Sequence, residues 1–355
     1  MDLQTLWFVA IAVLWTGYFF LEGFDFGVGT LLPLLGRGED ERRALVSTIG
    51  PVWDGNEVWL IVAAGATFAS FPLWYAAMFS GFYLPLLVIL VALILRGVAF
   101  EYRGKVDNTR WRTGWDRAIV FGSAVPAVLW GVVFGNIVRG LPINANFEYS
   151  GGIRDLVNGY ALIGGLATLT LFVLHGALFV ALKTTGDVEI RAGQVAKWVG
   201  LATIVTTATF LVWTQIERGK TATAVTALLA GAALLGALVL NQAGRQRAAF
   251  ALSGTTIALV TVTLFVALYP DVLPSTNRAY SLTVDNAKST DYTLTIMTWV
   301  TVIFLPFVLV YQAWSYWVFR QRIGVAGGPG RERPSPDAAT ETGQRATRPR
   351  TPRIR

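Results

Sequence analysis

The chain has 355 residues, of which 54% are hydrophobic and 14% charged, with 29 Lys and Arg residues against 22 Asp and Glu. A soluble domain carries about a quarter charged residues because its surface must be hydrated, so this composition excludes an ordinary soluble protein. Cysteine is absent, which excludes disulfides, iron–sulfur clusters and Cys-ligated metals. The net charge of +7 comes mostly from the C-terminal end. It implies no nucleic-acid partner, since the cytoplasmic segments of membrane proteins are basic in any case.

Long apolar segments follow one another along most of the chain. A helix needs about 20 apolar residues to cross the roughly 30 Å hydrocarbon core of a membrane. The sequence therefore predicts an all-α integral membrane protein with nine transmembrane helices, forming one membrane domain over residues 1–320. The predicted spans are 6–35, 46–70, 73–100, 117–138, 158–183, 195–215, 222–241, 248–269 and 292–319.

The basic residues predict how these spans are oriented. The loops after the first, third, fifth and seventh spans hold three, five, three and two Lys or Arg residues, whereas the opposite loops together hold six. Because basic loops stay in the cytoplasm, we expect the N-terminus outside and the C-terminus in the cytoplasm. Residues 321–355 are rich in Gly, Pro, Arg and Thr and poor in large apolar residues, which predicts a basic, disordered cytoplasmic tail.

Two carboxylates interrupt the apolar first span. Glu22 and Asp25 are spaced i and i+3, so they share one face of the helix. A carboxylate at this depth costs at least a few kcal/mol, so it must face protein, water or a partner. Gly23 and Gly27 form a GxxxG pair, which lets another helix approach closely beside the two acids.

The second predicted span adds Asp54 and Glu57. If this span begins near Val46, Asp54 lies about 12 Å along its axis, and the acids of the first span lie at a similar depth. Four acids at one level are typical of a proton or cation path. The structural alternative is that the acids pair with a buried cation and lock the helices together, and Arg96 in the third span is the obvious partner.

The inventory of haem ligands is small. His175 is the only histidine, and Met78 and Met297 are the only internal methionines. A lone histidine inside a membrane span is more often a hydrogen-bonded core residue than a ligand. Haem iron needs His, Met, Cys or Tyr axial ligands, so this chain cannot supply several haems. We predict no haem or metal ligand in it, and in a redox enzyme another subunit would carry the metals.

Several motifs resemble subunit II of cytochrome bd quinol oxidases. The stretch GFDFGVG at 23–29 resembles the family's G-F-D-x-G-x-G, and WDGNEVWL at 53–60 resembles its W-D-G-N-E/Q-V-W-L signature. The middle of the chain, about 185–290, is similar mainly in hydropathy. Further similar segments lie at 79–83, 100–103, 110–112, 115–116, 134–136 and 294–300.

The resemblance implies a heterodimer in the bacterial cytoplasmic membrane. Subunit I would hold two b-type haems and haem d, oxidise quinol at the outer face and reduce dioxygen to water with cytoplasmic protons. Charge would then separate across the membrane without pumping. This chain would ligate no cofactor and would provide packing, part of the proton path and an apolar path for dioxygen. Membrane lipid is a further expected partner. A small single-helix accessory subunit and a quinone bound within this chain are left open.

The resemblance also carries roles to particular residues. The family's proton-path acid in W-D-G-N falls on Asp54, with Glu22 and Asp25 as supporting members, and Trp59 matches the aromatic residue near the oxygen entrance. Val52 stands where some members carry His, so water would have to replace that imidazole. Glu22 replaces an Asp that is common at its position, which lengthens the reach and keeps the charge.

Two other classes of function compete with the oxidase. A secondary transporter or cation channel also has acids at mid-depth beside glycines. Transporters often contain two similar halves, but the C-terminal half holds no second copy of GFDFGVG or WDGNEVW. A purely structural membrane scaffold is the third class, and it predicts that neutralising the acids leaves turnover intact.

Overall fold

A computed structural model describes residues 2–324 of the chain, and this part is mostly helical. Two short strands, β1 (Asp271–Leu273) and β2 (Leu282–Thr283), pair antiparallel in the loop before the last helix. The predicted cytoplasmic tail lies outside the described residues from residue 325 onward. The α-helices of the described part are α1 (Leu3–Leu35), α2 (Glu39–Ile49), α3 (Trp53–Ser70), α4 (Pro72–Gly81), α5 (Tyr83–Tyr102), α6 (Thr109–Arg139), α7 (Gly159–Lys183), α8 (Asp187–Arg218), α9 (Thr221–Gln242), α10 (Gln246–Leu268) and α11 (Asp291–Val318).

Eight helices within residues 2–324 are long and apolar enough to cross a membrane, namely α1 and α5 to α11. The remaining predicted span falls on α3, which has 18 residues. Its first two turns carry Asp54, Asn56 and Glu57, and these polar residues lower its hydropathy. The count of nine spans, the orientation of the chain and its division into membrane domain and tail therefore stay predictions.

The predicted continuous span over 46–70 is wrong at its beginning. Helix α2 ends at Ile49, and α3 begins at Trp53 after a turn. Pro51 explains the break, because its ring has no N–H for a helical hydrogen bond and collides with the carbonyl group four residues earlier. Asp54 therefore lies in the first turn of α3, and not about two turns inside a longer helix.

The predicted span over 73–100 is also divided, into α4 and α5. The backbone of Phe82 between them has φ −100° and ψ 20°, outside the helical range. Pro85 lies in the first turn of α5 and cannot donate to the carbonyl oxygen of Gly81, so the helical ladder is interrupted there. Helix α5 alone, with 20 residues, has the length to span the membrane.

The centre of the protein is built where α1, α6 and α7 pack closely. A Cβ atom on Gly27 of α1 would lie 2.7 Å from Cα of Gly176 on α7. A Cβ atom on Gly131 of α6 would lie 2.2 Å from the carbonyl oxygen of Gly164 on α7. Backbones approach this closely only where side chains are absent, which is a common way for membrane helices to associate.

Helix α11 lies at the edge of the bundle. Among its described residues, Leu294 alone is buried. Such a long exposed apolar face needs lipid or another protein to cover it. Its exposed aromatic residues are Tyr292, Trp299, Phe304, Phe307, Tyr311, Trp314 and Trp317.

Candidate functional site

Two buried acids of α1 form the centre of the candidate site. Glu22 and Asp25 have no exposed surface. They lie almost one helical turn apart, so both point to the side of α1 that meets α3 and α5. Burial of carboxyl groups at this depth requires compensating partners, and these come from the two neighbouring helices.

Arg96 of α5 is the cation that these acids face. Its side chain is fully buried, and Nη2 donates a hydrogen bond to Glu22 and another, over 2.5 Å, to Oε1 of Glu57 on α3. The guanidinium carbon also lies 4.8 Å from the ring centroid of Phe26. One guanidinium thus joins acids from two helices. Loss of this cation would leave the buried Glu22 without an ionic partner, which is strongly destabilising.

Asp25 is bound by α3, and α11 supports this contact in turn. Asn56 of α3 donates from Nδ2 to Oδ2 of Asp25 over 2.7 Å. Tyr316 of α11 donates from its hydroxyl to Oδ1 of Asn56, also over 2.7 Å. These two hydrogen bonds connect a buried carboxylate to an aromatic residue on the outermost helix.

The cluster keeps hydrogen-bonding capacity that the described side chains do not use. Oε2 of Glu22, Oδ1 of Asp25, and Nε and Nη1 of Arg96 are buried without a partner in the described part of the chain. Buried polar atoms normally bind protein or ordered water. Two of the three carboxyl groups, Glu22 and Glu57, bind the one guanidinium, and Asp25 has no cationic partner in the described part of the chain.

Asp54 lies apart from this cluster. Its side chain is exposed on the first turn of α3, and it makes no hydrogen bond or ion pair with any residue from 2 to 324. At about 100° per residue, Asp54 and Asn56 point about 200° apart, so the helix directs one outward when the other is buried. The structure brings Glu22, Asp25, Glu57 and Arg96 together and leaves Asp54 on the outer surface of α3.

Trp59 joins α3 to two other helices. Its indole Nε1 donates to Oε1 of Gln312 on α11 over 2.8 Å. Its ring covers Gly17 of α1, where an added Cβ atom would lie 2.2 Å from a ring carbon. Trp59 is therefore partly buried, and its side chain packs α3 against both α1 and α11.

The two glycines predicted to support helix packing face α7. An added Cβ atom on Gly23 would lie 2.8 Å from the ring of Phe172. An added Cβ atom on Gly27 would lie 2.1 Å from the carbonyl oxygen of the same residue. They therefore fix the position of α1, and with it the direction in which Glu22 and Asp25 point.

His175 of α7 is a buried core residue whose two ring nitrogens are both occupied. Nδ1 lies 2.7 Å from Oγ of Ser253, and Nε2 lies 3.2 Å from the carbonyl oxygen of Phe20. The ring stacks on Phe250 with centroids 4.4 Å apart. Within residues 2–324, no group of three or more His, Cys, Asp or Glu side chains could hold a metal ion.

A second ionic network, at the ends of α2, α5 and α6, was not predicted from the sequence. Arg103 donates from Nε to Oδ1 of Asp116 over 2.5 Å and from Nη1 to Oε1 of Glu39 over 2.9 Å. Arg42 binds the same Asp116 over 3.1 Å. The sequence showed these arginines only as basic loop residues, because the acids that pair with them are distant in the chain.

Asn56 and Tyr316 were also absent from the predicted site. The buried positions of α3 include Asn56, Ala63, Thr67 and Ser70, which recur at helical spacing and carry small or polar side chains. This pattern could have identified Asn56 as inward-facing. Tyr316 gave no comparable signal, since it lies 260 residues from Asn56 along the chain.

Comparison with known proteins connects this site to a family. The family model for cytochrome bd terminal oxidase subunit II matches residues 3–319. Cytochrome bd ubiquinol oxidase subunit 2 of Bacillus subtilis is 42% identical over 91% of this chain and 97% of its own length. Cytochrome bd-I ubiquinol oxidase subunit 2 of Escherichia coli is 36% identical over 90% of this chain and 95% of its own length.

The fold has a counterpart among solved structures. The bd oxidase of Geobacillus thermodenitrificans contains a chain that superimposes with a TM-score of 0.75 at 15% identity, covering 90% of this chain and 99% of that one. At this identity the likeness shows the fold alone. The bacterial relatives and the eight apolar helices make this chain a multi-pass protein of the bacterial cytoplasmic membrane.

These matches confirm the resemblance seen at 23–29 and 53–60 and decide against a secondary transporter or a cation channel. They extend over nearly the whole membrane part, including the segments that carry Glu22, Asp25, Asn56 and Glu57. The chain belongs to the family of cytochrome bd terminal oxidase subunit II.

Proposed function

We propose that this subunit carries protons from the cytoplasmic side of the membrane toward the haem-bearing subunit of the oxidase. The observation that supports this proposal is the cluster of Glu22, Asp25 and Glu57 around the single cation Arg96. It holds more carboxyl groups than cationic partners and has buried polar atoms that no described residue binds. Intramembrane acids in such clusters form proton relays in pumps and transporters.

The hydrogen bonds around Asp25 support its part in the same route. Asn56 donates to this carboxylate, and Tyr316 donates to Asn56. An amide does not readily exchange its own protons, so we assign Asn56 a positioning role that holds Asp25 beside Glu22. Water in the cluster would carry the proton between the carboxyl groups.

Asp54 is proposed as the acid at the contact with subunit I. It is exposed on α3, while the neighbouring residues Val58, Ile61 and Val62 are exposed and apolar. Helix α11, which contacts α3 through Gln312 and Trp59, presents a further apolar face. A partner that covers both helices would bury Asp54, and a buried acid at an interface needs a polar partner there.

The remaining parts of the oxidase are inferred from the family. We infer that subunit I holds two b-type haems and haem d, oxidises quinol on the outer side and uses cytoplasmic protons to reduce dioxygen. The complex would then separate charge without pumping. His175, the only histidine, is engaged on both ring nitrogens, which supports a division of work between the subunits.

Trp59 is proposed to line the path of dioxygen. Its ring fills the space between α1, α3 and α11. Dioxygen is apolar and dissolves better in such surroundings than in water, whereas protons and water are excluded from them. Trp59→Phe would keep one aromatic ring while losing the bond to Gln312 and part of the indole, whereas Trp59→Ala would remove the aromatic group altogether. A path past this ring predicts that only Trp59→Ala changes the apparent KM for dioxygen, with haem content unchanged.

The proton path is tested by Asp54→Asn in the detergent-purified complex. Haem absorbance and quinol-driven oxygen uptake are recorded together on the same preparation. We expect normal haem content and oxygen uptake reduced by about tenfold or more, the low end of the effect of a missing proton-transfer group. Asp40→Asn is the matched control, because Asp40 is also exposed and has no ion pair in the described part of the chain.

Other results would separate the alternatives. Normal haem with near-normal uptake in Asp54→Asn would remove this acid from the proton path. Normal uptake in Glu22→Gln and Asp25→Asn as well would leave the subunit as a packing partner. Equal losses in Asp54→Asn and Asp40→Asn would reflect surface charge in general. If the wild-type protein, co-expressed with the products of its neighbouring genes, is purified without haem, the inferred assembly with a haem-bearing subunit is contradicted.

A further inference from the structure

A large crevice opens at the end of the bundle that is predicted to face the cytoplasm. Its volume is about 1460 Å³. Small-molecule pockets occupy roughly 300–1,000 Å³, so this space is larger than a compact ligand needs. The crevice lies between α1, α7, α10 and α11, and it is separate from the cluster around Arg96.

The inner wall of the crevice is apolar. Phe20 and Phe24 of α1, Phe179 of α7 and Phe250 of α10 line it. The carbonyl group of Phe20 contacts His175, which precedes the end of α7 at Lys183 by eight residues, or about 12 Å along the axis. The apolar wall therefore extends well below the ends of the helices, to the depth that a hydrocarbon chain would occupy.

The rim of the crevice is strongly basic. It carries five cations and one carboxylate, Glu189, so the local charge is positive. Three of the cations are engaged within the protein. Arg322 binds Glu189 over 2.7 Å, Lys183 donates to the carbonyl oxygen of Gln321 over 3.0 Å, and Arg320 lies 4.3 Å from the ring of Trp317.

The other two cations, Arg245 and Arg247, have no such partner. Both are exposed, and neither makes a side-chain hydrogen bond or an ion pair with the residues that the structure describes. They lie at the beginning of α10, whose first turn also lines the crevice and has no side-chain cap. The positive end of this 23-residue helix adds to the attraction for an anion at the same place.

We propose that this crevice binds an anionic phospholipid of the cytoplasmic leaflet. The phosphate would lie on Arg245 and Arg247 at the beginning of α10, and one acyl chain would lie along Phe20, Phe24 and Phe250. An apolar wall below a basic rim fits a lipid that is negative at one end and apolar at the other. Basic pockets between membrane helices bind such headgroups. The assignment does not depend on the proton path.

Tyr316 gives this lipid a structural role beside the candidate site. Its ring lines the crevice, and its hydroxyl donates to Asn56, which binds Asp25. An acyl chain in the crevice would pack against this ring and hold α11 to α1. Occupancy would therefore stabilise the hydrogen bonds from Tyr316 to Asn56 and from Asn56 to Asp25.

The test is native mass spectrometry of the purified, delipidated oxidase complex with the full chain. Dioleoyl phosphatidylglycerol and dioleoyl phosphatidylcholine are titrated separately, so that the headgroup charge is the difference between them. We expect one phosphatidylglycerol to bind the wild type more tightly than any phosphatidylcholine. In Arg245→Ala/Arg247→Ala its Kd should rise about thirtyfold, the effect of two basic residues near a membrane surface.

Arg110→Ala/Arg117→Ala is the matched control. It removes the same charge from exposed arginines on the same predicted side, away from the crevice. We expect its Kd for phosphatidylglycerol to equal that of the wild type, and the haem spectra of both variants to show intact assembly. Equal losses in both double variants, or equal binding of the two lipids, would overturn the proposal. Binding of phosphatidylglycerol only after removal of 325–355 would also overturn it, because the tail would then occupy the crevice.

Discussion

Asn56 of α3 donates a hydrogen bond over 2.7 Å to the fully buried carboxylate of Asp25 on α1. The donor belongs to the WDGNEVWL segment and the acceptor to GFDFGVG, so the two most distinctive motifs of the sequence meet at this bond. Their shared function is therefore to build one buried polar site between two helices. Within that site, Arg96 holds Glu22 and Glu57, and Asn56 holds Asp25.

The bond between these motifs predicts the effect of Asn56→Ala. The substitution leaves the carboxylate of Asp25 buried without its donor, at a cost of about 1–3 kcal/mol in the free energy of unfolding. We also expect oxygen uptake to fall, because Asp25 loses its position beside Glu22. Thermal unfolding and quinol-driven uptake of the purified complex measure the two effects.

Asn241→Ala separates these effects. Asn241 is also buried and donates to the carbonyl oxygen of Gly193 over 2.9 Å, but it lies outside the acid cluster. It should lower the unfolding temperature by a similar amount and leave uptake per haem unchanged. If both variants lose uptake in proportion to their stability, Asn56 is only structural.

Arg96→Gln should destabilise the complex strongly. It leaves Glu22 buried without a cation, and loss of one partner of a buried ion pair costs about 3–5 kcal/mol. The double variant Arg96→Gln/Glu22→Gln removes the unpaired charge and should recover a large part of that loss. The unfolding temperatures of wild type, single and double variants form the measurement. Equal temperatures for the single and double variants would show that Glu22 does not depend on Arg96 for its charge.

Gly27→Ala should weaken the packing of α1 on α7. The new Cβ atom would meet the carbonyl oxygen of Phe172 at 2.1 Å, and backbone cannot move aside as a flexible side chain can. Overpacking of this kind costs typically about 1–3 kcal/mol. Gly231→Ala on α9 is the control, since no atom lies within 4 Å of its added Cβ. There the unfolding temperature should stay the same or rise slightly, because Ala favours a helix more than Gly does.

The ionic network at Glu39 predicts a dependence of stability on pH. Burial acts to raise the pKa of Glu39, but the hydrogen bonds and charge of Arg103, with Arg112 and Arg43 nearby, outweigh it and lower the pKa below its ordinary value of 4.5. A carboxylate whose pKa is lower in the folded state stabilises that state above the unfolded pKa. The stabilisation is lost as pH falls below about 4.5 and through the folded pKa.

This dependence can be measured with Glu39→Gln. The variant should unfold at a lower temperature than the wild type at pH 7, and the difference should shrink as the pH is lowered toward 4. Glu101→Gln is the control, because Glu101 is exposed and pairs with no residue in the described range. A difference between wild type and Glu39→Gln that stays constant down to pH 4 would contradict the role of the ionised carboxylate.

The sequence by itself determined the class of this protein and the composition of its site. Apolar runs of membrane-spanning length predict helices, because the hydrocarbon core has no water and the backbone N–H and C=O groups must hydrogen-bond to one another. The same runs make Glu22, Asp25 and Arg96 conspicuous, since charged residues in a span must find one another or water. The two long motifs, 23–29 and 53–60, are specific enough to indicate the family without any structure.

Only the tertiary structure decided which polar residues share the site. In a membrane helix, the side facing lipid and the side facing protein are both apolar, so hydropathy does not distinguish them. The turn at Pro51 sets where α3 begins, and this rotates Asn56 inward and Asp54 outward. Tyr316 reaches Asn56 across 260 residues of sequence, and such a contact exists only after α11 has packed against α3. Local sequence contains the residue types, but the packing of distant helices selects which of them meet.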